Sequence, residues 1–391
     1  MTPEQAAARP RVVLVPDGMA DEPLAELGGR TPLQAARTPF MDEMARVGVV
    51  GLVQTVPEGL PPGSDVANLS VLGYDAAAVY TGRSPLEAAS IGVHLGPNDV
   101  SYRCNFVTIA DGVMKDNTAG HIPTEQADIL VEALREAFAE TPFEFHTGVS
   151  YRNLMVWRGG ELVPCTPPHD ILDQPVAGHL PPGQAGRALR DLMQTAHEVL
   201  GPLRPGTDVW FWGEGTAPKL PLFRELRGLR GAVVGAVDLV RGLGVYAGLD
   251  VLTVPGATGD LDTDYAAKGR AAADALARYD FVLVHVEAPD EAAHMGSAAE
   301  KVSAIERVDA EVLARIWQTT QRPAVMVLPD HYTPVRLRTH TEVPVPFVYA
   351  IAGAKSSGPS AACFDEASAA STGLLVPSGA SLMDRFLADT A

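Results

Sequence analysis

The chain has 391 residues, 46% hydrophobic and 20% charged, the balance of an ordinary soluble globular protein long enough for two compact units. Acidic residues outnumber basic ones 48 to 30, and the net charge of −18 argues against a nucleic-acid partner and leaves any anionic ligand in need of local arginines or metal ions. Three scattered cysteines (Cys104, Cys165, Cys363) suggest a reducing compartment rather than a disulfide framework, residues 1–10 lack the basic start of a signal peptide, and no apolar run approaches the roughly 20 residues that cross a membrane. Together these point to the cytoplasm.

In chain order, RVVLVPDG (11–18) predicts a strand that ends at Asp17. PPGSDVANLSVLGYD (61–75) is a breaker followed by a helix-like apolar pattern, and taken alone Ser64 reads as the N-cap of that helix. DVSYRCNFVTIADGVM (99–114) and FEFHTGVSYRNLMVW (143–157) predict strands with turns around a helix at 124–139. Their many polar residues predict an antiparallel sheet with one wet face. A Pro/Gly-rich stretch (162–183) and a helix at 184–200 follow. These segments predict a second domain inserted at 78–205, between core segments 1–77 and 206–391.

Beyond the insertion, Ala266–Arg278 predicts a helix, and FVLVHVEAPD (281–290) a strand delivering Asp290. Residues 298–316 place Val302, Ile305, Val308, Val312 and Ile316 near helical spacing. AVMVLPDH (324–331) predicts a strand ending at Asp330 and His331, and residues 360–379 read as loop before a short terminal helix. Near-continuous Val/Leu runs alternating with helices predict a doubly wound α/β core, whose ligands sit beyond the carboxyl ends of the strands.

Three strand ends therefore carry an aspartate. Asp290 and His294 are four apart, so a helix puts both on one face, within reach of one metal ion. His340 follows Asp330 and His331 after a turn-like segment. Any one of these residues has a plain reading: a strand-end Asp caps a turn, and a lone His is structural. The joint set of Asp17, Ser64, Asp290, His294, Asp330, His331 and His340 suits two adjacent divalent ions with mixed O/N ligands. The oxygen-rich site favours Mn²⁺, with Mg²⁺ or Zn²⁺ possible. Near such ions a serine hydroxyl at a helix N-terminus becomes a nucleophile.

With GSDVANLSVLGYD, DEAAH, LPDH and RTH, the chain resembles the cofactor-independent phosphoglycerate mutases of the alkaline phosphatase superfamily, in their shorter, archaeal-type branch. YTGRSPLEAASIG (80–92), RCNFVT (103–108), DNTAGHI (116–122), GVSYRNL (148–154), VPGATG (254–259) and VPVPF (343–347) extend the likeness over almost the whole chain. The resemblance implies an alkaline-phosphatase-like core sheet with a smaller inserted α+β domain. One metal would be held by Asp17, Ser64, Asp330 and His331, the other by Asp290, His294 and His340. Ser64 would be transiently phosphorylated while 3- and 2-phosphoglycerate interconvert in glycolysis and gluconeogenesis, with neither nucleotide nor 2,3-bisphosphoglycerate required. His121, Arg103, Arg152 and Lys219 would grip the substrate, His121 standing where many archaeal-type members carry Arg.

Alternatives are a metal-dependent phosphatase or a phosphotransferase on another small metabolite, for example a homoserine-kinase-like enzyme. A kinase needs a nucleotide site, and no G-x-x-x-x-G-K-[ST] loop occurs; GEGTAPKLP lacks the spacing. A non-catalytic binding protein on an enzyme scaffold is a third reading, at odds with a complete set of seven ligand positions. No oligomeric interface is legible.

Overall fold

A computed structural model describes residues 9–391. The signal-peptide reading over residues 1–10 therefore lies, but for Arg9 and Pro10, outside the described residues. The chain divides into two compact units, Met1–Tyr80 with Leu220–Ala391, and Thr81–Lys219.

In chain order the strands are β1 (Arg11–Pro16), β2 (Val49–Val53), β3 (Val100–Ala110), β4 (Val113–Asp116), β5 (Phe143–Val149) and β6 (Arg152–Trp157). They continue with β7 (Thr207–Thr216), β8 (Gly231–Val234), β9 (Asp250–Leu252), β10 (Phe281–Val286), β11 (Ala324–Val327), β12 (Val345–Ile351) and β13 (Leu375–Val376).

The first unit is built on one eight-stranded sheet in the order β13-β2-β12-β11-β1-β10-β8-β9. β1 lies at its centre, parallel to β10 and β11, and only β12 runs against its neighbours. Both faces of β1 are covered: all six of its residues are buried, Val12 and Leu14 lying in one apolar cluster with helix residues Met44, Ala272, Ile305 and Val312. That double cover is why the run reads as continuously apolar instead of alternating.

The predicted helix at 298–316 is present, interrupted by one π-helical stretch (Val308–Leu313) between Ala298–Arg307 and Ala314–Trp317. The tail does not stay a loop: Glu366–Ser371 forms a helix capped by Asp365, and Leu375–Val376 joins the sheet edge against β2. The cap is local chemistry, Asp365 accepting from the Ser368 N–H, and it starts a helix that the Ala/Ser-rich sequence signals only weakly. The terminal helix spans Gly379–Asp389.

The second unit holds an antiparallel five-stranded sheet, β4-β3-β6-β5 with β7 on the other side of β3. It ends at Lys219 rather than near residue 205 because β7 pairs with β3 along most of its length. Helices Thr124–Ala137 and Ala185–Leu200 pack a large apolar cluster that includes Tyr102, Phe106 and Met155. The expected wet face is not found at the centre: β3 is buried from Val100 to Val107, and smaller clusters around Ala88, Leu95, Ile171 and Trp210 cover its far side.

Candidate metal centre

The seven residues singled out for metal all belong to the first unit, and the strand ends bring them together. Asp17 follows β1 directly, its backbone N–H donating to the Val286 carbonyl at the end of β10, 3.0 Å away. Past β10 the chain turns into helix Ala288–His294, which places Asp290 in its first turn and His294 in its last. The i,i+4 pairing brings His294 Nε2 within 3.1 Å of Asp290 Oδ2. After β11 the loop carrying Asp330 and His331 is pinned to the β1 turn by bridges from Tyr332 to Met19 and Ala20, and Tyr332 also pairs with Thr341, next to His340.

Gly18 makes this closeness possible. Its φ is +57°, and a Cβ there would overlap Thr333 Oγ1 and Asp290 Oδ1.

Two groups emerge. Ligand atoms of Asp290, His294 and His340 lie within 4.8 Å of one another, His294 Nε2 and His340 Nε2 being 3.1 Å apart. On the other side, His331 Nε2 faces Ser64 Oγ at 3.1 Å, Asp330 Oδ2 at 3.5 Å and Asp17 Oδ1 at 3.6 Å. The His331 and His340 rings stack with centroids 3.9 Å apart, so the groups are contiguous. The outer nitrogens are tied down: His294 Nδ1 lies 2.9 Å from the Arg338 carbonyl and His340 Nδ1 lies 3.1 Å from the Pro62 carbonyl. Each ring thereby offers Nε2 inward.

Ser64 does not act as the cap of its helix. Helix Ser64–Val71 takes Gly63 as N-cap, without a side-chain capping bond, and the half-buried serine hydroxyl turns to His331. Asn68, one turn on, donates to both the Ser64 carbonyl and Asp330 Oδ2, at 2.9 Å each, and locks the helix start to the Asp330 loop.

The electrostatics call for cations. Asp17 and Asp330 are fully buried and Asp290 is 3% exposed. Burial, then the charges of Asp330 and Asp290, push the Asp17 carboxyl well above its ordinary range. Burial also acts against the Asp290 charge, but hydrogen bonds from His294 and His340 and the neighbouring imidazoles hold its pKa well below normal. His294, bonded to Asp290, is raised to about 9, while burial lowers His331 to about 4. Asp17 Oδ1 is buried without a hydrogen-bond partner, 3.6 Å from His331 Nε2. Three buried carboxylates converging with three imidazoles, and no Lys or Arg paired to Asp17, Asp290 or Asp330 among the described residues, fit divalent cations.

Sequence reasoning missed several supporting residues. His285, fully buried in β10, holds Asp17 Oδ2 at 2.9 Å from its Nε2, with Glu287 on its other side at 3.7 Å. Burial, then the Asp17 charge, raises the Glu287 pKa well above normal. A histidine inside the apolar run FVLVHV was the available signal. Asn68 and Thr333 gave none, since each becomes significant only through residues distant in sequence.

The four substrate candidates all lie in the second unit. Arg103 on β3 is nearly buried, ion-paired to Glu87 at 3.0 Å and stacked 4.5 Å over the Trp212 ring. Burial, with the nearby Arg83 and Arg152 charges, lowers it to about 10 against the pull of Glu87. Arg152 opens β6 beside Tyr151, whose ring also meets the exposed His121 edge-on at 6.0 Å. Lys219 is exposed at the end of the unit, outside any element. Arg83, which joins the Arg103 and Arg152 field, was not singled out from sequence.

Known proteins share this layout. A solved structure of PH0037 protein from Pyrococcus horikoshii is 29% identical, with a TM-score of 0.83 over 98% of this chain and 97% of that one. A cofactor-independent phosphoglycerate mutase from Thermoplasma acidophilum is 27% identical, with a TM-score of 0.67 over 98% of this chain and all of the other. The family described as 2,3-bisphosphoglycerate-independent phosphoglycerate mutase matches residues 45–202. A relative of that name from Methanothrix thermoacetophila is 49% identical over 93% of this chain and 95% of its own.

The class is thus an isomerase with a doubly wound α/β core and an inserted α+β unit. The chain belongs to the 2,3-bisphosphoglycerate-independent phosphoglycerate mutases.

Proposed function

We propose that this chain interconverts 3-phosphoglycerate and 2-phosphoglycerate through a phosphoserine at Ser64. The observation that carries the reading is the Ser64 hydroxyl, at the first residue of a helix and 3.1 Å from His331 Nε2, among buried carboxylates. Ser64 Oγ attacks phosphorus and the bond from phosphorus to the substrate's C3 oxygen breaks. That oxygen takes up a proton equivalent to the one the serine loses. The glycerate then presents its 2-oxygen, which attacks the phosphoserine, and Ser64 recovers its proton. The balance closes on one substrate, so neither nucleotide nor 2,3-bisphosphoglycerate is needed.

Asp17, Ser64, Asp330 and His331 would hold one divalent ion, and Asp290, His294 and His340 the other, with Mn²⁺ the best match and Mg²⁺ or Zn²⁺ as alternatives. When bound, the two ions supply charge neutralisation for the phosphoryl oxygens and favour the ionised serine. Arg103 and Arg152 suit the substrate carboxylate, which a guanidinium grips bidentately, with His121 and Lys219 as further contacts. The three unpaired cysteines fit a reducing, cytoplasmic setting. Among the described residues no helix is long and apolar enough to cross a membrane.

Incubation with 3-phosphoglycerate and Mn²⁺, followed by phosphorus NMR, tests the reading. The expected product is 2-phosphoglycerate. Inorganic phosphate instead would make the protein a phosphatase, and phosphate transfer from a nucleotide to a small alcohol would make it a kinase.

A further inference from the structure

We propose that Thr333 is a positioning residue that decides which nitrogen of His331 carries the proton, so that an Nε2 lone pair faces Ser64, and that the same hydroxyl ties the His331 ring to Asp290. Thr333 is fully buried between the two groups of the centre. Its Oγ1 lies 2.5 Å from Asp290 Oδ1 and 3.1 Å from His331 Nδ1. A hydroxyl has one proton to give. Donated to His331, it would leave hydroxyl lone pairs against a carboxylate oxygen at 2.5 Å, a contact between two acceptors. Donated to Asp290, it makes a short charge-assisted bond and leaves the hydroxyl free to accept from His331 Nδ1–H. Only the second arrangement satisfies all three groups. It puts the His331 proton on Nδ1 and the Nε2 lone pair toward Ser64, Asp17 and Asp330.

The hydroxyl is held where it can do this. Lys301, fully buried on helix Ala298–Arg307, donates to the Thr333 carbonyl at 2.8 Å, to Asp21 Oδ2 at 2.8 Å and to the Ala20 carbonyl at 3.2 Å. One ammonium thus fixes the Thr333 backbone relative to the turn after β1. Gly18 leaves the room that the hydroxyl fills. The effect on ion binding rests on the two-metal reading above; the effect on the ring does not.

The test uses Thr333→Val, which keeps the shape and removes the hydroxyl, and Thr333→Ser, which restores it. In ¹⁵N-histidine spectra of the metal-free proteins, wild type and Thr333→Ser should show His331 protonated on Nδ1, and Thr333→Val a mixed or reversed tautomer. Calorimetric titration with Mn²⁺ should show affinity falling roughly 10- to 100-fold in Thr333→Val and recovering in Thr333→Ser. A bare Nδ1 in wild type or in Thr333→Ser overturns the proposal, as does an unchanged tautomer in a folded Thr333→Val. If the spectra come out as expected but wild type takes up no Mn²⁺, the positioning role stands and the two-metal reading falls.

Discussion

Ser64 carries two readings that sequence cannot separate, because a serine ahead of a helix is a good cap and a good nucleophile for the same geometric reason. Gly63 takes the cap position, and the Ser64 hydroxyl, spared that duty, meets His331. Ser64→Ala should therefore leave the helix and the melting temperature close to wild type while mutase activity drops by on the order of 10³-fold or more, the scale seen when a nucleophile is deleted. A variant retaining most of its turnover would remove Ser64 from the chemistry. Asp17, Asp290, His294, Asp330 and His331 were legible because each sits just past a strand or on a short helix face whose direction the sequence announces, and His340 because it follows Asp330 and His331 after a short turn. Thr333 was not: its meaning depends on one hydroxyl meeting both Asp290 and His331.

At the scale of elements, the strands and helices of the core were legible from periodicity, whereas the local departure inside one long helix was not. Residues 308–313 widen into a π-helical turn that contains Asp309, fully buried, whose carboxylate accepts from the backbone N–H of Met41 at 2.8 Å and of Phe40 at 3.2 Å. It thereby ties this helix to the first turn of helix Pro39–Val47. Burial raises its pKa to about 6, despite those two bonds. A carboxyl whose folded pKa exceeds its unfolded value of about 3.9 stabilises the fold fully below that value, and the contribution is lost as pH rises through about 6. Asp309→Asn removes this titration. The stability of the variant relative to wild type should accordingly be lower at pH 5 than at pH 7.5, by about 1–2 kcal/mol in denaturant titrations. A difference independent of pH would show that Asp309 titrates normally in the folded protein.

Over the whole molecule, a net charge of −18 is consistent with a core that concentrates three carboxylates around one point. Chelation should abolish activity and lower the melting temperature, and Mn²⁺ should restore both. Free ion at about 100 times its dissociation constant stabilises by about 2.7 kcal/mol per site. Identical melting curves with and without chelator would exclude ions from the centre. The extent of the second unit was read short because β7 follows a helix and precedes a loop, and its pairing with β3, about a hundred residues earlier, leaves no local mark. By itself the sequence determined the α/β core, the strand-end aspartates and the family motifs, because hydrophobic period and short spacings act over a few residues. Only the tertiary structure decided that Gly63 rather than Ser64 takes the cap position, that the Ser64 hydroxyl faces His331, and that His285, Asn68 and Thr333 hold Asp17, Asp330 and His331 in place. Those are contacts between segments about 260 residues apart, or contacts inside a buried cluster, and no local pattern encodes either.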